Sequence, residues 1–368
     1  MQVRQARTIG LACVFLAFLH AVAQAGSVQS SGPRVRSYYI AAEQVEWNYA
    51  PSPLPLIPRN DNDLIKLPRI DLQTYVKAVY REYTDATFQS AKPRPQAWEH
   101  LGILGPLIRA EVGDTVKVVF KNNTNLPFTM HPHGLAYDKD SEGAYYFQDG
   151  LSLEQKKGAA VRPHQCFTYT WTVPESAGPG PHDPSSILWM YHSHFSESRD
   201  INAGLLGPII VTRKGHAKPD GSPTDVDREF VVAFAVFDEG ESAYFMENLV
   251  HRAHIGLSTA HDPNLPKALM FYTMNGLIHG NLPLLTMKKG ERVRWYLMSS
   301  ANEDDVHSPH WHGQTVISNM MRTDTINLGP MSMAVADMVP ASLGIWLFHC
   351  HVNDHLDHGM VARFQVTE

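Results

Sequence analysis

Cysteine is almost missing from this 368-residue chain: there are three, and Cys13 falls within an N-terminal leader. Only Cys166 and Cys350 then remain, so if Cys350 serves a metal no intramolecular disulfide is possible. A secreted chain of this size can hold its fold by core burial alone. Excess positive charge is also lacking. The formal net charge is −6, and −8 once Arg4 and Arg7 leave with the leader, which gives no electrostatic reason to expect nucleic acid or an anionic membrane as partner. Beyond the leader no stretch reaches the roughly 18 apolar residues that a membrane-spanning helix needs, and helical periodicity is scarce. The leader itself comprises Arg4 and Arg7, an apolar run from Ile9 to Leu19, and Ala23-Gln24-Ala25. It is expected to be a signal peptide over residues 1–25, cleaved before Gly26, which makes the protein secreted, extracellular or periplasmic.

What remains, about 343 residues, is long enough for two domains. Alternating apolar and polar positions mark strands at Arg34–Tyr49, Thr115–Phe120, Cys166–Val173, Ile187–Tyr191 and Leu205–Thr212. Residues 213–228 are polar and rich in chain breakers, and past them the layout repeats, with strands at Phe230–Phe237 and Arg292–Leu297. The expected fold is all-β: two cupredoxin-like Greek-key β-barrel domains, spanning 26–214 and 228–368.

Histidine is abundant, with twenty in the chain, and eleven of them fall into four clusters. These are His131-Pro132-His133, His192-Ser193-His194, His307-Ser308-Pro309-His310-Trp311-His312, and the C-terminal run His349-Cys350-His351-Val352-Asn353-Asp354-His355-Leu356-Asp357-His358-Gly359-Met360. On a strand alternate side chains face opposite ways. Each His-x-His pair therefore presents two imidazoles to one side, while Cys350 points to the other side from His349 and His351. A thiolate, two imidazoles and a weak thioether form a blue copper electron-transfer site. Cys350, His355 and Met360 supply three of these donors, and His307, an odd number of residues before His310, can face Cys350 and supply the fourth. The four pairs give eight imidazoles without sulfur, enough for three further copper ions. By the chain's own frequencies the C-terminal pattern arises by chance on the order of 10⁻⁵ times per chain, so it is read as a motif. Overlaying the two halves puts Ser193 on Cys350, Ser198 on His355, Ala203 on Met360 and Phe128 on His307. One blue site is expected, in the second domain, with the imidazole pairs kept in both.

These motifs resemble those of the multicopper oxidases. Leu104–Asp114, Arg228–Val232, Asn302–His307, Arg322–Asn327 and His349–Met360 resemble the ceruloplasmin/hephaestin branch in particular. The resemblance implies a blue copper held by His307, Cys350, His355 and Met360. It implies a lone copper of a trinuclear cluster held by His131 and His310, and a coupled pair held by His133, His192, His194, His312, His349 and His351, four coppers per chain in all. It further implies a trinuclear cluster formed between neighbouring subunits, as in two-domain oxidases, and hence a homotrimer.

The expected activity is one-electron oxidation of a reductant through Cys350, with transfer along the backbone to His349 and His351 and four-electron reduction of dioxygen to water. The acidic residues Glu303, Asp304, Asp305 and Asp354 stand close to blue-site ligands, which favours Fe(II) as reductant; Glu303 and Asp354 are the candidate docking acids. A laccase-like oxidase of phenolic or aromatic reductants is the alternative. A copper nitrite reductase would need its blue site in the first half, where Ser193 stands, and a non-catalytic copper-binding module would have lost ligands. Of the remaining residues, Cys166 is expected to be a small buried hydrophobe and His358 a loop residue. His251, His254 and His261 form a possible surface metal group, Met320, Met321, Met331 and Met333 a possible route for Cu(I), and Asn122-Asn123-Thr124 is the only glycosylation sequon.

Overall fold

Alternation of side chains produces nine strands in the first half: β1 (Val35–Asn48), β2 (Thr74–Tyr83), β3 (Ile108–Glu111), β4 (Thr115–Asn122), β5 (His131–Pro132), β6 (Ala136–Tyr137), β7 (Cys166–Thr172), β8 (Ser186–His192) and β9 (Leu206–Thr212). Ten follow in the second: β10 (Arg228–Asp238), β11 (Met270–Met274), β12 (Leu285–Lys288), β13 (Val293–Ser299), β14 (Pro309–Trp311), β15 (Val316–Ser318), β16 (Met321–Thr323), β17 (Met333–Met338), β18 (Gly344–Cys350) and β19 (Val361–Thr367). The computed structural model describes residues 33–52, 56–57, 74–147, 150, 152, 155–254, 269–301 and 306–368. The expected leader, His261, Glu303, Asp304 and Asp305 lie outside these described residues.

The two halves repeat one topology. Sheet β2-β1-β4-β7-β6 corresponds to β11-β10-β13-β17-β15-β16, and sheet β3-β9-β8-β5 to β12-β19-β18-β14. Even the parallel pairings repeat: β1 with β4 as β10 with β13, and β3 with β9 as β12 with β19. Each half is thus a cupredoxin-like Greek-key barrel closed by two sheets. After β8 comes a short helix, α1 (Glu197–Asn202), and after β18 its counterpart α2 (Asn353–Asp357). The segment between the C-terminal histidines and Met360 therefore contains a helical turn where an open loop was expected.

Burial explains the continuous apolar run of β10. Its even positions Phe230, Val232, Phe234 and Val236 pack in the core of the second half. The odd positions Val231, Ala233, Ala235 and Phe237 join a layer between the halves with Tyr49, Leu104, Met190 and Ile210. A strand buried on both faces has no polar side to show. Polar contacts reinforce the layer: Arg109 grips Glu229 through two nitrogens at 2.7 and 3.1 Å, and buried Lys77 pairs with Glu239 and Tyr49. An apolar interface of this kind fixes the halves relative to one another.

The outward face of β7 corrects one expectation. Cys166 shares its parity with Thr168, Thr170 and Thr172, while Tyr169 and Trp171 point into the core, so Cys166 is exposed. The sequon asparagine, by contrast, is fully buried, and its amide donates to the carbonyls of Leu126 and Val161. Among the described residues no helix is long and apolar enough to cross a membrane.

Candidate metal centre

The end of β18 divides its side chains between two environments. Cys350 points into the core of the second half, where it is fully buried beside Met360 and Phe348. There it meets His307, just ahead of β14, and His355 on α2. The sulfur lies 3.8 Å from His307 Nδ1 and 3.6 Å from His355 Nδ1, and those nitrogens are 3.2 Å apart. The centre of this triangle is about 2 Å from each corner, close to the length of a bond from nitrogen to a first-row metal. The Ser308 amide donates to the sulfur at 3.4 Å. Burial alone would raise the Cys350 thiol, but hydrogen bonds from His307, His355 and the Ser308 and Val352 amides outweigh it and bring the pKa down to about 6. The group is therefore mainly thiolate at neutral pH, the form that binds metal. Met360 is locked in place by its backbone, its amide donating to the His355 carbonyl and its own carbonyl accepting from the Cys350 amide.

His349 points the other way and meets His312, Nε2 to Nε2, at 2.9 Å. His310 pairs with His349 across the β14–β18 ladder, and its ring centroid lies 5.3 Å from those of both His349 and His351. The first half builds the same arrangement: His131 pairs with His192 across β5–β8, and His133 Nε2 lies 3.0 Å from His192 Nε2. His194 completes that set, its ring 5.1 Å from His131.

The far nitrogens are tied down, which fixes the tautomers. Nδ1 of His131 donates to the Glu142 carbonyl at 2.6 Å, and Nδ1 of His310 to the Asp324 carbonyl at 2.9 Å. Nδ1 of His192 donates to the Ser193 carbonyl, and Nδ1 of His349 to the Cys350 carbonyl. In each case Nε2 is left with its lone pair inward, as a metal-ligating imidazole requires. Burial favours the neutral form of five rings: it lowers His133 and His349 to about 4, and lowers His131, His192 and His312 as well.

Three groups of three donors thus come together: His307, Cys350 and His355; His131, His133 and His192; His310, His312 and His349. His194 and His351 stand at the edges of the last two groups, and His351 is exposed. The two imidazole sets do not meet. Among the described residues no hydrogen bond or ring contact joins a histidine of the first half to one of the second. Asp354 is exposed on α2, with Oδ1 3.4 Å from His358 Nδ1. No donor group of this kind forms around His251 or His254 among the described residues.

Two features had escaped the motif reading. Glu197 Oε2 lies 3.1 Å from His194 Nε2, and overlaying the two halves, which puts Glu197 on Asp354, would have flagged it. Tyr272 on β11 lays its ring between those of His355 and His358, at 4.9 and 5.1 Å; nothing in its own segment signals that placement.

Comparison with known proteins gives a consistent result. Two family models, each described as multicopper oxidase, match residues 82–216 and 254–368. The chain is 37% identical to hephaestin of Mus musculus over 95% of its own length and 30% of that protein's. It is 38% identical to ferroxidase HEPHL1 of Homo sapiens over 96% and 31%, and 37% identical to human ceruloplasmin over 92% and 33%. It therefore spans 30% to 33% of the length of these relatives. Among solved structures a multicopper oxidase aligns with a TM-score of 0.58 at 22% identity, covering 90% of this chain and 89% of that one. The blue copper oxidase of Nitrosomonas europaea aligns with a TM-score of 0.57 at 18% identity, covering 90% and 86%. These two likenesses concern the fold alone.

Proposed function

Because the chain belongs to the multicopper oxidases, in their ceruloplasmin/hephaestin branch, we propose that it couples one-electron oxidation of a reductant, Fe(II) foremost, to the reduction of dioxygen. Four electrons and four protons convert one dioxygen to two waters. The observation that carries this reading is the split at β18: Cys350 sits in a buried thiolate–imidazole triangle while its neighbour His349 sits in an imidazole set on the opposite face.

The residues suit copper. One thiolate and two imidazoles in a dry site, with a methionine close by, are the donor chemistry of a blue site, and sulfur-free imidazole sets suit copper that handles oxygen. His307, Cys350, His355 and Met360 would hold one copper, and His131 and His310 another. His133, His192, His194, His312, His349 and His351 would hold a pair, four per chain. Copper, once bound, supplies the one-electron and oxygen chemistry. The protein holds Cys350 as an anion, turns the imidazoles to present their lone pairs, and excludes water from the thiolate. The peptide bonds from Cys350 to His349 and His351 give the shortest covalent route between the two kinds of site.

Since the imidazole sets of one chain stay apart, the working enzyme is read as a homotrimer in which the first half of each subunit faces the second half of the next. Secretion follows from the leader. Fe(II) is favoured by the exposed Asp354 carboxylate one residue before His355. A laccase-like phenol oxidase is the second reading.

The test is copper analysis with oxygen uptake on Fe(II) and on a substituted phenol, each with an Asp354→Ala control. The expected result is four coppers per chain, a blue colour, and Fe(II) turnover that falls at least several-fold in the variant while phenol turnover persists. Far fewer coppers, or no oxygen consumed, overturns the oxidase reading. Fe(II) turnover untouched by the substitution removes Asp354 as a docking acid, and turnover of the phenol without Fe(II) turnover removes Fe(II) as the reductant.

A further inference from the structure

The residue between the paired histidines of the first half is Ser193, and it is as buried as Cys350. Its surroundings parallel those of the cysteine in part. The Thr129 amide donates to Ser193 Oγ at 3.0 Å, as the Ser308 amide donates to Cys350 Sγ at 3.4 Å. The helix after the strand sends a side chain back in both halves: His355 from α2 to the sulfur, and Asp200 from α1 to the hydroxyl, which donates to Asp200 Oδ2 at 2.6 Å. The same Asp200 oxygen accepts from the Ser196 amide at 2.9 Å, and the His194 amide donates to Thr129 Oγ1 at 2.9 Å. Thr129 lies two residues before His131. The network therefore clips the His192–His194 segment to the His131–His133 segment through protein hydrogen bonds alone. In the second half the His351 amide donates to the Ser308 carbonyl at 2.8 Å, and the helix side chain that returns to the strand is His355 rather than a carboxyl.

Resting on the oxidase reading above, we propose that Ser193 and Asp200 are positioning residues that hold the first-half imidazole set in ligand geometry without a metal. The first-half set is thus preformed in the copper-free protein. Neither residue touches copper or substrate. Both act through His192 and His194.

The experiment compares wild type, Ser193→Ala, Asp200→Ala and Asp200→Asn for copper per chain, blue absorbance, and amide hydrogen exchange in the copper-free state. Ser193→Ala and Asp200→Ala are expected to keep one blue copper and lose most of the other three. Asp200→Asn, whose amide oxygen still accepts the same hydrogen bonds, restores them. In copper-free wild type the amides of Thr129 and His194 exchange slowly, and Ser193→Ala and Asp200→Ala speed them. Four coppers retained in both alanine variants overturns the proposal. So does fast exchange at Thr129 and His194 before copper is added, a readout that does not depend on any variant folding. A wild type that takes up no copper instead sinks the oxidase reading, and the exchange pattern still decides the clip.

Discussion

If the cluster is shared between subunits, two inactive variants can repair one another. One variant loses the first-half set through His133→Ala, and the other loses the second-half set through His349→Ala. Each removes one partner of a facing nitrogen pair, at 3.0 Å in the first half and 2.9 Å in the second. Each leaves the other half and the thiolate triangle intact. Co-expressed in equal amounts and assembled at random, half the subunits offer a sound first half and half a sound second half. A junction works when the two sound halves meet, so about a quarter of the wild-type activity returns in a closed ring of identical interfaces. A cluster built within one chain would return nothing.

A second mixture makes the arithmetic decisive. The double variant His133→Ala/His349→Ala, co-expressed with wild type in equal amounts, leaves about a quarter of full activity if junctions are shared and about half if they are not. Oxygen uptake per blue centre is the assay, with sedimentation velocity checking that the assemblies match wild type in size. No recovery in the first mixture together with one half in the second refutes the shared cluster, whatever the oligomeric state.

Burial raises the Asp200 carboxyl from its ordinary value of 3.8 to about 7. A carboxyl raised by folding binds its proton more tightly in the native state, so its favourable contribution is complete below about pH 4 and drains away as pH rises through about 7. The loss is at most about 4 kcal/mol. Asp200→Asn cannot ionise, so urea unfolding from pH 5 to 8 is expected to show it gaining on wild type as pH rises; parallel curves refute this. Gly134 follows His133 with φ of +72°, and a Cβ there would stand 2.1 Å from the Trp189 ring. That ring is held by its Nε1 bond to the Ala177 carbonyl at 2.8 Å. Gly134→Ala is expected to cost more than about 2 kcal/mol, from left-handed strain plus overpacking; an unchanged unfolding midpoint would show that the turn yields.

How much of this was legible in the sequence follows from what a strand encodes. Period two was enough to send Cys350 one way and His349 the other, and to split the imidazole pairs from the thiolate group. The same rule, not applied to Cys166, would have placed it outside with Thr168 and Thr170, since Tyr169 and Trp171 claim the core side. Tertiary partners were illegible. Nothing local to Tyr272 says that β11 brings it onto His355, and nothing local to Asn122 says that its amide is spent on buried carbonyls.

Overlaying the halves marked Ser193 as a non-ligand, which was correct about its chemistry and silent about its work. A duplicated barrel keeps its geometric demands when it loses a metal site, because the strand end and the following helix must still be joined. A hydroxyl too hard and too weakly acidic to hold copper meets that demand with a carboxyl at 2.6 Å, at the cost of burying Asp200. The halves have thus come to differ in what meets the buried strand end, a carboxyl in one and a thiolate–imidazole group in the other. In the copper-free protein the His131–His194 face is accordingly expected to stay closed, held at the Thr129 and His194 amides.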